Sequence, residues 1–283
     1  MIGPPMRPLG PVGPLRPERG LSGTMTGEPG LLASDEQPYT PRLSGCGSLR
    51  RELEAVLDAA TPETTQDRFR HLVLEGNAAG KRSASSRLWA WKRLKVRYLL
   101  DPRVPEFRAF SSTMHETRDP SDRGLLEFLM MARTDRLFRE VVTECISPLV
   151  GTAAAPVEAS CIRGAIEARV TAAGLKWTAS VVGGVTSHLL SSAKDFGILV
   201  GSARKQTRPV RPGTPVTTFA IRLSRLEGLS DRQTLRSRWF RILGLGFDAV
   251  VDLVYAAARQ GALEFRYQAD VVEISLPALA EER

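Results

Sequence analysis

The sequence predicts a mainly α-helical protein of two lobes, the second built from winged-helix-like helix pairs and short β-hairpins. Three observations carry that prediction. Apolar residues recur at helical spacing between cap residues through the first half, and a helix–helix–hairpin order occurs twice in the second. The composition, 42 % hydrophobic and 25 % charged over 283 residues, is that of a globular chain long enough to bury a core without disulfides or metal.

Residues 1–37 carry Pro4, Pro5, Pro8, Pro11, Pro14 and Pro17 among glycines, which cannot close helix or sheet hydrogen bonds, so a disordered tail is expected there. Met25 offers an alternative start, leaving open whether residues 1–24 belong to the protein. After Ser48, expected as an N-cap, Leu49, Leu53, Val56 and Leu57 share one apolar face. A second helix is expected from Pro62 and Glu63 to a left-handed cap at Gly76-Asn77, and a third from about Ser85 to Leu99. Others follow near 103–113, 121–131 and 134–146. The small, uncharged run Ala153 to Pro156 places a domain boundary near 150, giving an N-terminal helical domain at 38–150 and a C-terminal one at 151–283. In the latter, helices near 157–173 and 178–195 lead to a short strand Ile198 to Val200, a basic loop, and a returning strand near Val216 to Ile221. Residues 230–241 and 246–260 read as helices, and ALEFRYQADVVEISLP alternates as two strands turning at Gln268-Ala269-Asp270.

Charge points to the partner. Thirty-nine Lys and Arg against 31 Asp and Glu leave +8, which favours a polyanion, nucleic acid first. The basic residues form two patches. Lys81, Arg82, Arg87, Arg93 and Arg97 lie in a stretch without an acid between Gly80 and Asp101. There Leu88, Trp91, Leu94, Tyr98 and Leu99 are expected to face the core, leaving Arg93 and Arg97 on a cationic face beside Trp89. Ser83, Ser85 or Ser86 can cap this helix, whose free N–H groups with Lys81 and Arg82 would form an anion site. The second patch, Arg204, Lys205, Arg208 and Arg211, sits where a wing would sit. The helix before it offers Ser187, His188, Ser191, Ser192 and Lys194 to a groove. Each patch also reads as an ordinary solvated surface. If about six phosphates are neutralised, log affinity should fall with log salt at a slope near −5.

Other chemistries find little support. Cys46, Cys145 and Cys161 are far apart in sequence, and the three histidines form no H-x-x-x-H pair, so neither a zinc site nor a disulfide framework is expected. No cofactor, metal or small-molecule substrate is called for. Gly76 to Arg82 has three residues between its glycines and Arg82 where a P-loop needs Ser or Thr. Asp270-Val271-Val272-Glu273-Ile274-Ser275 has a serine where an acidic nuclease core carries lysine, and Asp195-Phe196-Gly197 has no kinase companions. Glu116, Asp119 and Asp122 around Pro120 read as a turn and helix cap. A non-enzyme is expected. The apolar runs Val141 to Ala155 and Ile242 to Ala258 are interrupted by Glu144 and Pro148 and by Asp248 and Asp252, so they read as buried helices, not membrane spans. The N-terminus lacks the apolar core of a signal peptide, and a cytoplasmic location is expected.

Several segments together resemble the BrxA family, a component of the bacterial BREX phage-defence systems. The similarity runs over about residues 38–276, through Tyr39-Thr40, Asn77 with Lys81-Arg82-Ser83, and Leu137-Phe138-Arg139-Glu140. Its clearest part is Trp177-Thr178 leading to the run Leu189 to Leu199, and Ala256 to Phe265 resembles the family's closing helix and strand. The resemblance implies a non-catalytic, two-lobed helical protein with an N-terminal lobe similar to the antitermination factor NusB. It also implies binding to double-stranded DNA with little sequence preference, beside a methyltransferase, an ATPase and a phosphatase-like subunit. A protein-interaction scaffold within the defence complex and an RNA-binding protein are the alternative readings. Gly183-Gly184 departs from the family's helix-forming residues, at about 2 kcal/mol relative to alanine, which makes DNA contact by that helix less secure.

Overall fold

The computed structural model describes residues 35–152, 154–268 and 271–278, all within one compact unit, Leu31–Arg283. The expected tail as far as residue 34 and the turn residues Ala269-Asp270 lie outside the described residues. The architecture is mainly helical with short antiparallel strand pairs.

A 3-10 turn, Arg42–Ser44, precedes α1 (Arg50–Asp58), α2 (Gln66–Leu74), α3 (Ala84–Tyr98), α4 (Pro105–Glu116), α5 (Pro120–Thr134), α6 (Arg136–Cys145) and α7 (Ser147–Val150). Then follow β1 (Pro156–Val157), α8 (Ala159–Ala172), α9 (Ala179–Asp195), β2 (Leu199–Val200) and β3 (Lys205–Thr207). The chain continues through α10 (Thr214–Leu226), α11 (Asp231–Thr234), α12 (Arg238–Arg241), α13 (Phe247–Arg259), β4 (Glu264–Gln268) and β5 (Val271–Ser275).

Local chemistry explains where these boundaries differ from expectation. Ser48 is one residue too early to be the N-cap of α1. Leu49 occupies that position in a left-handed conformation, while the Ser48 hydroxyl donates to Asp195 Oδ2 at 2.7 Å. The second helix starts at Gln66, not Pro62, because Thr61 to Thr64 close a turn of their own and Thr65 caps the helix by accepting from the Arg68 N–H. Asn77 takes the left-handed conformation after α2, at φ 51°. The strand expected at Val216 to Ile221 is part of α10. Val216, Phe219, Ala220 and Leu223 are buried at i, i+3, i+4 and i+7, and Pro215 in the first turn favours a helix start. The returning strand lies earlier, within the basic loop. Residues 230–241 form two single turns instead of one helix, and Gly244 at φ 73° separates them from α13.

α5 is the hub. From Gly124 to Thr134 every residue is buried. Phe128 meets Phe138 of α6 and Phe196, which follows α9, at ring separations of 5.7 and 6.0 Å. A second aromatic chain links Phe69, Phe107 and Phe110 to Phe219 of α10, the last step being 6.0 Å. Ion pairs bridge the halves as well: Arg169 of α8 holds Glu140 at 2.9 Å and Glu144 at 2.6 Å. Segments 38–150 and 151–283 thus share aromatic contacts and ion pairs across residue 150.

Two glycines of α9 have different surroundings. A Cβ at Gly184 would lie 2.8 Å from the Ser44 carbonyl oxygen, so this glycine lets the 3-10 turn lie directly on the helix; a Cβ at Gly183 meets only the Arg163 guanidinium, at 3.9 Å. Gly183→Ala should therefore stabilise by up to about 1 kcal/mol through helix propensity. Gly184→Ala should destabilise by about 1–3 kcal/mol through overpacking. Urea melts of the two variants check the opposite signs.

Glu127 of α5 is fully buried, with Arg50 Nε 3.0 Å away. Burial lifts its carboxyl well above the usual range, and Arg50 opposes that only in part. An acid whose pKa is higher folded than unfolded imposes no penalty below its unfolded value of about 4.3. The penalty then grows as pH rises. Glu127→Gln should thus gain stability relative to the parent from about pH 5 to pH 8, and the gain should vanish below about pH 4, as read by denaturant melts across pH.

Candidate nucleic-acid interface

The second half opens with a compact strand–helix–helix–strand–loop–strand unit. β1 and β2 both pair antiparallel with β3, in the registers Val157↔Lys205 and Leu199↔Thr207, giving the order β1-β3-β2. With α6 ahead of it, this is a winged-helix-like arrangement in which α9 precedes the wing. Each joint has a local cause. Thr178 caps α9 by accepting from the Val181 N–H. Asp195-Phe196-Gly197 is the helix stop: Phe196 is buried, Gly197 turns at φ 81°, and the Ile198 N–H returns to the Ala193 carbonyl at 2.9 Å. Gly201 turns the wing at φ 90°, where a side chain would strike the Arg204 carbonyl. Thr207 is buried and donates to the Thr152 carbonyl at 2.8 Å, which fixes the base of the wing.

On this frame Arg204, Arg208 and Arg211 are exposed and form no ion pair among the described residues. Lys194, at the end of α9, is exposed as well. Lys205 is turned back: its Nζ donates to the Gly201 and Ser202 carbonyls at 3.0 and 2.6 Å, closing the wing tip. The structure thus keeps three arginines of this patch for solvent and makes its lysine structural.

The first patch is dispersed. Arg97 is buried and donates to the carbonyls of Gly47, Cys46 and Arg42, so it cannot reach a phosphate. Lys81 pairs with Glu52, and Ser83 is spent in a reciprocal cap with Ser86. The anion site expected at this helix start therefore loses Lys81. Arg87 is half-buried with its Nε lacking a hydrogen-bond partner, and Arg93 stacks over Trp89 at 5.8 Å. Arg82 stays exposed, but Leu88, expected in the core, is 41 % exposed.

The groove-facing reading of α9 is corrected too. Gly47 lies against Ser191, and a Cβ there would sit 3.1 Å from the Ser191 Oγ, so the chain before α1 covers that part of the helix. Ser192 is buried and donates to the His188 carbonyl at 2.6 Å. Ser187 and Lys194 remain outside. Sequence reasoning missed Arg163, an exposed residue of α8 beside Gly183 of α9. Its place became legible only once the two helices were paired. The second helix–hairpin unit is less suited to a polyanion: α13 exposes Asp248 and Asp252, and on β4–β5 Arg266 faces Glu273 at 3.6 Å.

No protein-family model matches this sequence, and no curated protein matches it. Among the described residues no helix is long and apolar enough to cross a membrane.

Far apart in sequence, Cys145 and Cys161 are neighbours in space: the Cys145 thiol lies 3.7 Å from the Cys161 carbonyl. Burial first, then the hydrogen bond to the Cys161 thiol, pushes Cys145 up to about 12, whereas Cys161 is exposed. Iodoacetamide at about pH 8 should therefore alkylate Cys161 and spare Cys145 and the buried Cys46, as read by peptide mass mapping.

Proposed function

We propose that the protein grips duplex DNA through its phosphates, with the β2–β3 wing as the principal contact and no chemistry of its own. The observation that supports this reading is the set of three exposed arginines without an ion pair among the described residues, Arg204 in the β2–β3 turn and Arg208 and Arg211 in the segment leaving β3, after a helix ending in exposed Lys194. Arginine forks match phosphate oxygens bidentately, and phosphates carry no sequence information. Contacts of this kind give low sequence preference. The covered face of α9 supports the same conclusion, because little of that helix is left to read base edges. The resemblance to the BrxA family supports a role as an accessory protein of phage defence.

With Lys81, Arg97 and Lys205 turned inward, the exposed cations beside the wing are Lys194, Arg204, Arg208 and Arg211, which lowers the expected number of neutralised phosphates to about four. The salt slope on duplex DNA is then near −3.6. Gel shifts across a salt series should give that slope, with affinity independent of sequence. The triple charge reversal Arg204→Glu, Arg208→Glu and Arg211→Glu should flatten it by about 3, about one per lost contact. Binding that ignores salt, or a triple variant that binds like the parent, defeats the proposal.

A further inference from the structure

α3 presents a surface whose chemistry does not suit a phosphate backbone. Leu88, Trp89 and Val96 are 41, 37 and 42 % exposed, three large apolar side chains on one helix. With Lys92 and Lys95 they fall within about 120° of the helical wheel, so they form one face. No acid occurs on the helix, and Lys92 and Lys95 are exposed without an ion pair among the described residues. Arg93 lies over the Trp89 ring, which brings a further cation to the edge of the apolar stripe.

Two grooves run beside this face, of about 340 and 200 Å³, and Val96 borders both. Their rims carry Arg42, Lys92, Arg93 and Lys95, and Leu99 adds apolar floor. The carboxylate that lines them, Asp135, is buried and accepts from the Phe138 N–H as the cap of α6, so it points inward to the helix end. The cations at the rim outnumber it.

We propose that this face of α3 docks an acidic, amphipathic helical segment of a partner protein. Its apolar side chains would cover Trp89 and Val96 and enter the two grooves, and its carboxylates would meet Lys92, Lys95, Arg93 and Arg42. Concavity on both sides of Val96 selects side chains that insert, which a lipid surface does not supply. Three exposed apolar groups need desolvation, which a phosphate backbone does not supply. This surface differs in chemistry from the wing, where a single large apolar side chain, Val200, is exposed among arginines and small or polar residues.

The test uses the full chain and a fluorescein-labelled peptide of about 18 residues, with leucine at i, i+3, i+4 and i+7 and glutamate elsewhere. Fluorescence polarisation should give a Kd on the order of 10 μM at low salt. Trp89→Ser with Val96→Ser, both exposed positions, should weaken the peptide about tenfold and leave duplex DNA affinity within about twofold of the parent. Lys92→Glu with Lys95→Glu, a surface change that leaves the apolar stripe intact, should weaken the peptide likewise. The wing triple variant should retain the peptide while losing DNA, so failure of the DNA reading is seen separately. The proposal is overturned if the parent ignores the peptide or if neither α3 variant changes peptide affinity. It is equally overturned if the Trp89/Val96 variant loses DNA as the wing variant does. Capture of the parent but not that variant by phosphatidylglycerol vesicles, without peptide binding, would assign the face to a lipid surface instead.

Discussion

The segment Arg42 to Ser48 is clamped between α3 and α9, and the rest of the molecule's surface chemistry follows from that clamp. Arg97 supplies one jaw by donating to three carbonyls of the segment, and Tyr98 adds its hydroxyl to the Ser48 carbonyl at 2.7 Å. Gly184 supplies the other by letting the Ser44 backbone approach the helix. A guanidinium inside a protein must have its donors matched, since a buried unpaired charge is far more costly than a lost surface contact. Backbone carbonyls of an irregular segment have the complementary need. Arg97 meets both at once, and α9 loses an open face to the same arrangement.

The hub beneath this clamp has its own requirement. α5 is enclosed along most of its length, so its polar groups have no recourse to water. Arg133 answers Glu106 at 2.7 Å, and Thr134 donates to the Arg97 carbonyl at 2.6 Å. Asp122 accepts the Gly213 N–H at 2.8 Å, which ties the start of α10 to the hub. Glu127 with Arg50 is the least satisfied of these contacts, both of its oxygens lacking a hydrogen-bond donor. An amphipathic helix needs a partner on one side only; this one needs them all round, and residues on both sides of position 150 provide them.

Most of the helices were legible because their signals are local. Apolar spacing in Leu53, Val56 and Leu57, the serine caps of α3, and the left-handed cap at Asn77 after α2 each act within a few residues. The Val216 to Ile221 error shows the limit: threonine and valine favour a strand, and only the apolar partners facing Phe219 and Leu223 turn the segment into a helix. The exposure of Arg204, Arg208 and Arg211 was legible for the same local reason, since they sit in and just after a short turn-rich hairpin without apolar periodicity, although Lys205 of the same run folds back onto two carbonyls. The α3 patch was not. Helical phase predicted Arg97 outward, but phase does not say what else packs on a helix, and a distant loop with unpaired carbonyls recruited it. Leu88 fails in the mirror sense, because among the described residues no element covers it.

Arginine content is therefore a poor guide to a binding surface unless each guanidinium is followed to its partner. Among the notable arginines here, Arg97 holds a loop, Arg133 a buried carboxylate, Arg169 two glutamates across α6 and α8, and Arg50 the Glu127 carboxyl. Each carries the same formal charge as Arg204, and none is available to displace counterions. Net charge counts them all equally, whereas affinity for a polyanion counts only those left in solvent. The exposed set divides further by its neighbours: on and just after the wing the arginines stand among prolines and polar residues with one exposed valine, Val200, whereas on α3 the cations stand among Leu88, Trp89 and Val96. Charge alone would assign both surfaces to one partner. Apolar exposure separates them, because a surface that must shed water from a tryptophan and a valine calls for a partner with apolar groups of its own.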